Sequence, residues 1–457
     1  MPKAAFHNLG CKVNAYETEA MQQQLAQRGY EIVPFDEKAD VYIINTCSVT
    51  NIADRKSRQM LHRAKKLNPQ ALVVAAGCYV QVASEELKKD ASVDLIIGNN
   101  RKAELADILD ARLAEKNEEN RVYVLDIAHT HEYERLHLDR LGGHTRAFIK
   151  VQDGCNQFCS YCIIPYARGR VRSRKPEDVE AEVKGLVARG YREVVLTGIH
   201  LSSYGTEHME GSPVKGGDWD SGPLWDLIER IHRVEGLERI RLGSLEPRII
   251  TREFAEKLAG LPEFCPHFHL SLQSGCDATL KRMNRHYTTE DYEARCRLLR
   301  EVFDHPAITT DVIVGFPGET EEEFALTKEY LEWIHFYEMH IFKYSRREGT
   351  KAAVMKDQIP ESVKAERSDV LLSLETKMSE EYRKHYGDSV LSVLFEEITV
   401  IDGKEYLTGY TPQYVRAALP VTDREICSRM AGNIFEVQAE GFVTDEALRV
   451  KLQEITV

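Results

Sequence analysis

Strand-like and helix-like patterns alternate along this chain in two separate series, and that alternation leaves few folds open. In the first 115 residues, Lys3–Leu9, Asp40–Thr46, Ala71–Gly77 and Val93–Gly98 are short apolar runs. Glu17–Arg28, Ala53–Leu67 and Lys102–Leu113 carry helical spacing between them. Strands that alternate with helices imply a parallel sheet with crossover connections. A polar stretch at 114–121 opens a connector that reaches to about Thr145. The alternation then restarts. Ala147–Gln152, Glu193–Ile199, Arg239–Ser244, His267–Leu272, Thr309–Gly315 and His335–Lys343 are the expected strands. Helical patterns at Pro176–Arg189, Pro223–Val234, Thr251–Leu258, Thr289–Phe303 and Glu319–Glu332 separate them. Pro176 suits a first helical turn, and Thr288 with the acids behind it suits an N-cap. Six β/α units in succession imply an open or partial barrel, whose chemistry gathers at the C-terminal ends of the strands.

The Gly-rich insert at 205–222 is an expected surface loop. A charged helix follows from Glu361 to His385, and then the pattern changes. Ser389–Glu397, Glu405–Tyr410, Tyr414–Leu419 and Ile434–Gly441 are short and β-branched, separated by turn residues. They imply a small all-β barrel of a type that often hosts single-stranded nucleic acid. The expected fold class is therefore α/β: a parallel N-terminal domain (1–115), a connector (116–145), a partial (β/α)6 barrel (146–370), then a linker helix and small β-barrel (371–457).

The longest apolar runs fall far short of the ~20 residues that cross a bilayer. The N-terminus shows no signal-peptide pattern, so a cytoplasmic address with no membrane partner is expected. Ten cysteines in such a chain are expected to be ligands or buried thiols rather than disulfides. A net charge of −13 weighs mildly against a nucleic-acid partner. Positive residues cluster nonetheless: Arg168, Arg170, Arg172, Arg174 and Lys175 form one group. Arg55, Lys56, Arg58, Arg63, Lys65 and Lys66 form a second, and Lys281, Arg282 and Arg285 a third.

Cys155, Cys159 and Cys162 are spaced C-x3-C-x2-C just beyond the first barrel strand. A structural zinc site needs a fourth ligand, and no paired C-x2-C follows nearby. Ferredoxins use four cysteines per cluster. Soft thiolates select iron–sulfur clusters or zinc, and a 4Fe–4S cluster on three cysteines keeps one iron free for a small molecule. Cys11, Cys47 and Cys78 form a second trio. Each sits just past an apolar run, in "FHNLGCKVN", "VYIINTCSVT" and "LVVAAGCYVQ". In a parallel sheet those strand ends share the ligand-binding edge, so thiolates dozens of residues apart can converge. Again there are three ligands.

C-x3-C-x2-C after the first strand of a six-unit α/β series resembles the radical S-adenosylmethionine enzymes. The two trios in this order are similar to the methylthiotransferase family within them, across essentially the whole chain. "GCKVNAYE", "NTCSVTNIADRKSRQ" and "TGIHLSSYG" are most similar to the branch acting on threonylcarbamoyladenosine in tRNA. The resemblance implies two 4Fe–4S clusters, one on Cys155, Cys159 and Cys162 and one on Cys11, Cys47 and Cys78. The second trio would be the catalytic set where the transferable sulfur docks. It also implies S-adenosylmethionine, with Thr197, Gly198, Ser244, Gln273 and Gly315 as contact candidates. The tight turn alone is the competing account of Gly315 and Gly318. The small barrel would be a TRAM domain.

The implied reaction places a methylthio group at carbon 2 of the modified adenosine beside the anticodon. That hydrogen is not acidic, so acid–base residues are not expected to remove it, and the cofactor supplies the difficult chemistry. The implied partners are the tRNA anticodon loop, a reducing electron donor and a sulfur source. Arg168, Arg170, Arg172 and Arg174 are candidates for phosphates of that loop, which position RNA without reading its sequence. Solvation or ion pairing to an acidic helix is their alternative. Lys281, Arg282 and Arg285 are weaker candidates. Tyr410, Tyr414 and Arg416 are candidates for RNA recognition by stacking and shape, although residues 386–457 hold twelve acids against six bases.

Cys265, Cys276, Cys296 and Cys427 share no spacing and are expected to be ordinary thiols. No H-E-x-x-H, P-loop or G-x-S-x-G pattern appears. Two other readings stay open. One is a methylthiotransferase for isopentenyladenosine or a ribosomal-protein Asp; the other is a non-catalytic RNA-binding protein with two zinc sites.

Overall fold

The computed structural model describes residues 1–114, 121–138, 145–208 and 219–453. Most of the connector's polar opening and the centre of the 205–222 insert lie outside them. Six parallel strands build the N-terminal sheet: β1 (Lys3–Asn8), β2 (Glu31–Val33), β3 (Val41–Thr46), β4 (Leu72–Gly77), β5 (Leu95–Ile97) and β6 (Val122–Tyr123). Their order is β2-β1-β3-β4-β5-β6. Strand β3 is buried at every residue, as expected of a parallel strand covered on both faces. Helices Lys12–Gln27, Asn51–Leu67 and Cys78–Leu87 leave the C-terminal ends of β1, β3 and β4. Each of the three N-terminal cysteines therefore falls in a strand-to-helix connection on one sheet edge, Cys11 and Cys78 at the helix start and Cys47 directly after β3.

The central region starts with β7 (Arg146–Asp153) and the short antiparallel β8 (Arg172–Ser173). Then come β9 (Glu193–Gly198), β10 (Arg239–Leu242), β11 (His267–His269), β12 (Ala307–Val314) and β13 (Glu338–Lys343). Strands β10-β9-β7-β8 form one sheet and β11-β12-β13 another. Parallel bridges Ile240–Phe264 and Leu245–Leu270 join the two into an open barrel. Its helices start on clear signals. Thr288 with Asp291, and Thr320 with Glu323, form capping boxes that satisfy backbone donors reciprocally.

Side chains alternate along each strand. Ala147, Ile149, Val151, Val194, Leu196, Ile240 and Leu242 pack outward against the helices in one hydrophobic core. The opposite parity therefore turns inward: Arg146, Phe148, Lys150 and Gln152 on β7, Glu193 and Thr197 on β9, and His267 and His269 on β11. The interior is polar.

Helix Glu361–Lys384 leads to a closed barrel of β14 (Val390–Ile401), β15 (Lys404–Tyr410), β16 (Arg416–Pro420), β17 (Ile434–Thr444) and β18 (Ala447–Leu452), in the order β14-β15-β16-β18-β17. It caps the N-terminal ends of the open barrel's strands. Arg239 donates to the carbonyls of Tyr410 and Ser392, both at 2.9 Å, and Arg146 Nε lies 2.6 Å from Glu396. No described helix is long and apolar enough to cross a membrane.

Candidate cluster sites

The loop after β7 is built to hold Cys155, Cys159 and Cys162 at the open rim. Gly154 has φ +74°, and a Cβ there would lie 1.8 Å from the Arg170 carbonyl, so only glycine can precede Cys155. Phe158 takes φ +49°, its carbonyl held by the Asn284 amide at 3.1 Å. Ser160 is pinned from both sides, its amide donating to the Met283 carbonyl at 2.9 Å and its own carbonyl accepting from Ala352. Arg285 Nη1 lies 3.4 Å from Cys159 Sγ, its other nitrogens bound to Tyr287 and the Ser271 carbonyl. Burial pushes the Cys155 thiol up to about 12 and the Cys162 thiol up as well, each helped by its neighbour thiols. Such sulfurs ionise when a cation binds them, releasing protons.

Gln152 ties this loop to the next strand. Its amide donates to the carbonyls of Asp153 and Gly154, while its Oε1 accepts from the His200 backbone at 2.8 Å. A Cβ on Gly198 would meet Gln152 Oε1 at 2.8 Å. Thr197 is buried beside Gly243, and Ser244 is exposed at the end of β10. Gln273 holds a left-handed backbone, φ +76°, bridging to Asp311 and Ile313. A non-glycine residue in that region is uncommon and often functional. Thr197, Gly198, Ser244 and Gln273 thus share the rim with the cysteine loop. Gly315 is constrained by its own turn. Its amide donates to Glu319, and a Cβ would lie 2.3 Å from Lys364 Cγ. With φ +70° it meets the demands of the turn and of the packing against the linker helix, the competing account of this glycine.

The second trio converges. Cys47 Sγ would sit 3.1 Å from a Cβ placed on Gly10, next to Cys11. Burial raises the Cys47 thiol to about 11, with Cys78 and Cys11 adding to the rise, and burial likewise raises Cys11. Cys11 is nonetheless open to solvent, whereas Cys47 and Cys78 are buried. Neither trio has its three sulfurs all within 4.8 Å of one another among the described residues. One tetrahedral zinc ion with ~2.3 Å bonds would need thiolates about 3.8 Å apart. Three soft donors spread more widely suit a cluster that offers each its own iron.

Arg168 joins Cys78 of the second trio to the end of β7, the strand that leads into the first. Its Nε–H donates to Cys78 Sγ at 3.2 Å, its Nη1 to Glu17 at 2.7 Å and Asp153 at 3.2 Å, and its Nη2 to Asn14 at 2.6 Å. Lys102 and Lys150 also reach Glu17, at 2.8 and 2.7 Å. Lys150 reaches Asp153 at 2.6 Å. Burial alone would raise the Glu17 carboxyl, but Arg168, Lys102 and Lys150 outweigh it and hold it well below the usual range.

That arrangement corrects the arginine expectation. Arg168 is wholly buried and cannot hold an RNA phosphate. Arg172 is buried beside Asp153, its Nη1 on the Arg170 carbonyl, and Arg174 is buried on Glu182. Charge periodicity places arginines on alternate residues but not which face meets water. Only Arg170 of the four is exposed, its guanidinium 4.7 Å from the Phe158 ring centroid. Arg285 serves Cys159, and Arg282 pairs with Glu323. Tyr410 and Tyr414 are corrected too. They stack on each other at 4.6 Å beneath Arg146, with Arg241 also over Tyr414, so they fasten the small barrel to the core. Arg416 is half-buried beside them.

One group was not expected. His269, Asp311 and His340 stand on adjacent strands with ligand atoms within 4.8 Å of one another. His269 Nε2 is 3.2 Å from Asp311, which is in register with His340. Inward parity was the available signal, through His269, Asp311 and His340 in "HFHL", "TTDV" and "EMHI".

Comparison with known proteins agrees with this geometry. The model of Uncharacterized protein family UPF0004 matches residues 3–98, and that of the Radical SAM superfamily matches residues 149–331. Over its full length the chain is 41% identical to the threonylcarbamoyladenosine tRNA methylthiotransferase MtaB of Bacillus subtilis (strain 168), covering 98% of that protein. The chain belongs to the radical S-adenosylmethionine methylthiotransferases. It is thus an enzyme that uses S-adenosylmethionine with 4Fe–4S chemistry, not a zinc-binding RNA adaptor. Another relative of this methylthiotransferase is the tRNA-2-methylthio-N(6)-dimethylallyladenosine synthase of Carboxydothermus hydrogenoformans, 37% identical over 85% of this chain and 86% of that one. Among solved structures, the radical S-adenosylmethionine methyltransferase TsrM from Kitasatospora setae shares the fold. Its TM-score is 0.56 at 17% identity, over 77% of each chain.

Proposed function

We propose that this enzyme inserts a methylthio group at carbon 2 of threonylcarbamoyladenosine beside the anticodon of tRNA. The observation that carries the reading is the pair of three-cysteine sites, with Arg168 bonded both to Cys78 and to Asp153 at the start of the other cysteine loop. Residues 1–115 would carry the auxiliary cluster on Cys11, Cys47 and Cys78. Residues 146–370 would carry the radical cluster on Cys155, Cys159 and Cys162, and residues 371–457 the linker and TRAM barrel. When bound, the clusters and S-adenosylmethionine supply radical activation of the substrate carbon and the transferable sulfur. The protein's own part is placement. Gln152 fixes the cysteine loop against the Gly198 rim, Arg285 holds Cys159, and Arg168 and Asn99 hold Cys78. Thr197, Gly198, Ser244 and Gln273 line the rim where the cofactor would lie. A reducing donor and a sulfur source are required partners, and the cytoplasm is the expected compartment.

Nucleoside mass spectrometry of a deletion strain tests the substrate. The methylthio form of threonylcarbamoyladenosine should vanish while that of dimethylallyladenosine persists; the reverse refutes the assignment. Cys159→Ala should abolish 5′-deoxyadenosine release from reduced enzyme. Cys47→Ala should spare that release and stop methylthiolation.

A further inference from the structure

Lys12 follows Cys11 directly and begins the helix Lys12–Gln27. Its side chain is open to solvent, yet it stands inside the space between the N-terminal sheet and the open barrel. Its Nζ lies 5.8 Å from the ring centroid of Phe148, on the inward parity of β7. His267 and His340, from β11 and β13, feel its positive charge. Lys12 in turn feels Arg146 and Arg241, with Glu193 and Cys11 opposing them.

The other charges of this cavity are already matched. Arg146 Nε is 2.6 Å from Glu396. Arg241 Nε is 2.8 Å from Glu193, and its Nη1 is 2.8 Å from the Pro412 carbonyl. Asp311 is taken by His269. Among the described residues no ion pair or hydrogen bond reaches the Lys12 ammonium, which faces cations with partners of their own. A half-enclosed cation without a counter-ion selects an anion, since charges attract more strongly away from bulk water.

We propose that Lys12 anchors a carboxylate carried on the N6 substituent of the substrate adenosine, and so selects an acidic substituent over an apolar one. This rests on the proposed substrate, whose threonylcarbamoyl group bears a free carboxylate; a dimethylallyl group bears none. Carbon 2 and N6 flank the same edge of the purine, separated by N1 and C6. A base entering with carbon 2 toward the Cys11 site brings its N6 substituent to the same side of the cavity, where Lys12 stands. A site made for a charged group rejects the analogue lacking it because its own charge stays unpaired. A backbone phosphate offers the same charge, and the test separates the two sources.

Anticodon stem-loops carrying threonylcarbamoyladenosine, its methyl ester, or dimethylallyladenosine would be titrated against the reconstituted full chain. Wild type should bind the acid at least about tenfold more tightly than the ester. Lys12→Gln should bind acid and ester alike, near the wild-type affinity for the ester, with unchanged iron content and circular dichroism. Lys12→Arg, which keeps the charge, should keep the preference. Equal binding of acid and ester by wild type overturns the proposal. An equal loss on all three RNAs in Lys12→Gln overturns it in favour of a phosphate contact. Turnover of the dimethylallyl stem-loop in preference to the acid refutes the proposed substrate instead, a separate readout.

Discussion

The guanidinium of Arg168 belongs to the central barrel, yet its Nε–H lies 3.2 Å from the sulfur of Cys78 in the N-terminal sheet. The same group forks onto Glu17, Asp153 and Asn14 with no exposure to water. Lysine, a point charge, cannot reproduce that fork. Removing one member of a buried ionic group leaves the others uncompensated, at a cost of about 3–5 kcal/mol.

Arg168→Gln is therefore expected to lower unfolding stability by that order in the cluster-free protein, measured by urea denaturation. Under the proposed two-cluster reading, anaerobic iron per chain should fall from about eight toward about four, because the auxiliary site loses its support. Arg168→Lys should recover little of either. Unchanged iron and stability would remove Arg168 from both roles.

Arg170 and Arg172 are two residues apart and should respond oppositely. Arg170 is exposed over Phe158, while Arg172 is buried beside Asp153. Arg170→Ala is expected to weaken binding of an anticodon stem-loop and to lower the salt slope by about 0.7, the value for one phosphate contact in a single strand. Arg172→Ala should leave the slope unchanged and lower the melting temperature. A slope change in Arg172→Ala alone would reverse the assignment.

Glu193 governs the seam with the small barrel. Burial alone would raise its carboxyl, but Arg241 and Arg146 outweigh it and hold it below the usual range. A carboxyl depressed in the folded state stabilises above its unfolded value, about 4.3, and loses that contribution as pH falls through the lower folded value. The stability gap between wild type and Glu193→Gln should be full at pH 6–7, roughly as far above 4.3 as needed for complete ionisation. It should narrow progressively below about pH 4. Thermal melts of the cluster-free proteins across that range check the sign; a gap that widens in acid contradicts it.

The sequence made the β/α architecture legible because parallel strands buried on both faces read as apolar runs; β3 and β9 begin within one residue of their patterns. It hid the helix Cys78–Leu87, whose apolar start continues the strand "LVVAAG" without a capping residue, so the period blurs. Strand β18 was hidden by its polar alternation. All six proposed cluster cysteines could be named from spacing or strand-end context. The fate of their neighbours could not. Whether Arg168 meets RNA or Glu17 depends on an ion partner 151 residues away, which no local pattern carries. Tyr414 likewise depends on Arg146 and Arg241, placed by packing between separate units.

The charged hydrogen-bond partner of Cys78 is ninety residues downstream. During translation the three N-terminal thiols leave the ribosome well before Arg168 does. Under the proposed two-cluster reading, metal delivered to the nascent N-terminal half would meet a pocket lacking one wall, and loading is expected to follow the closing of the second half of the polypeptide over the first.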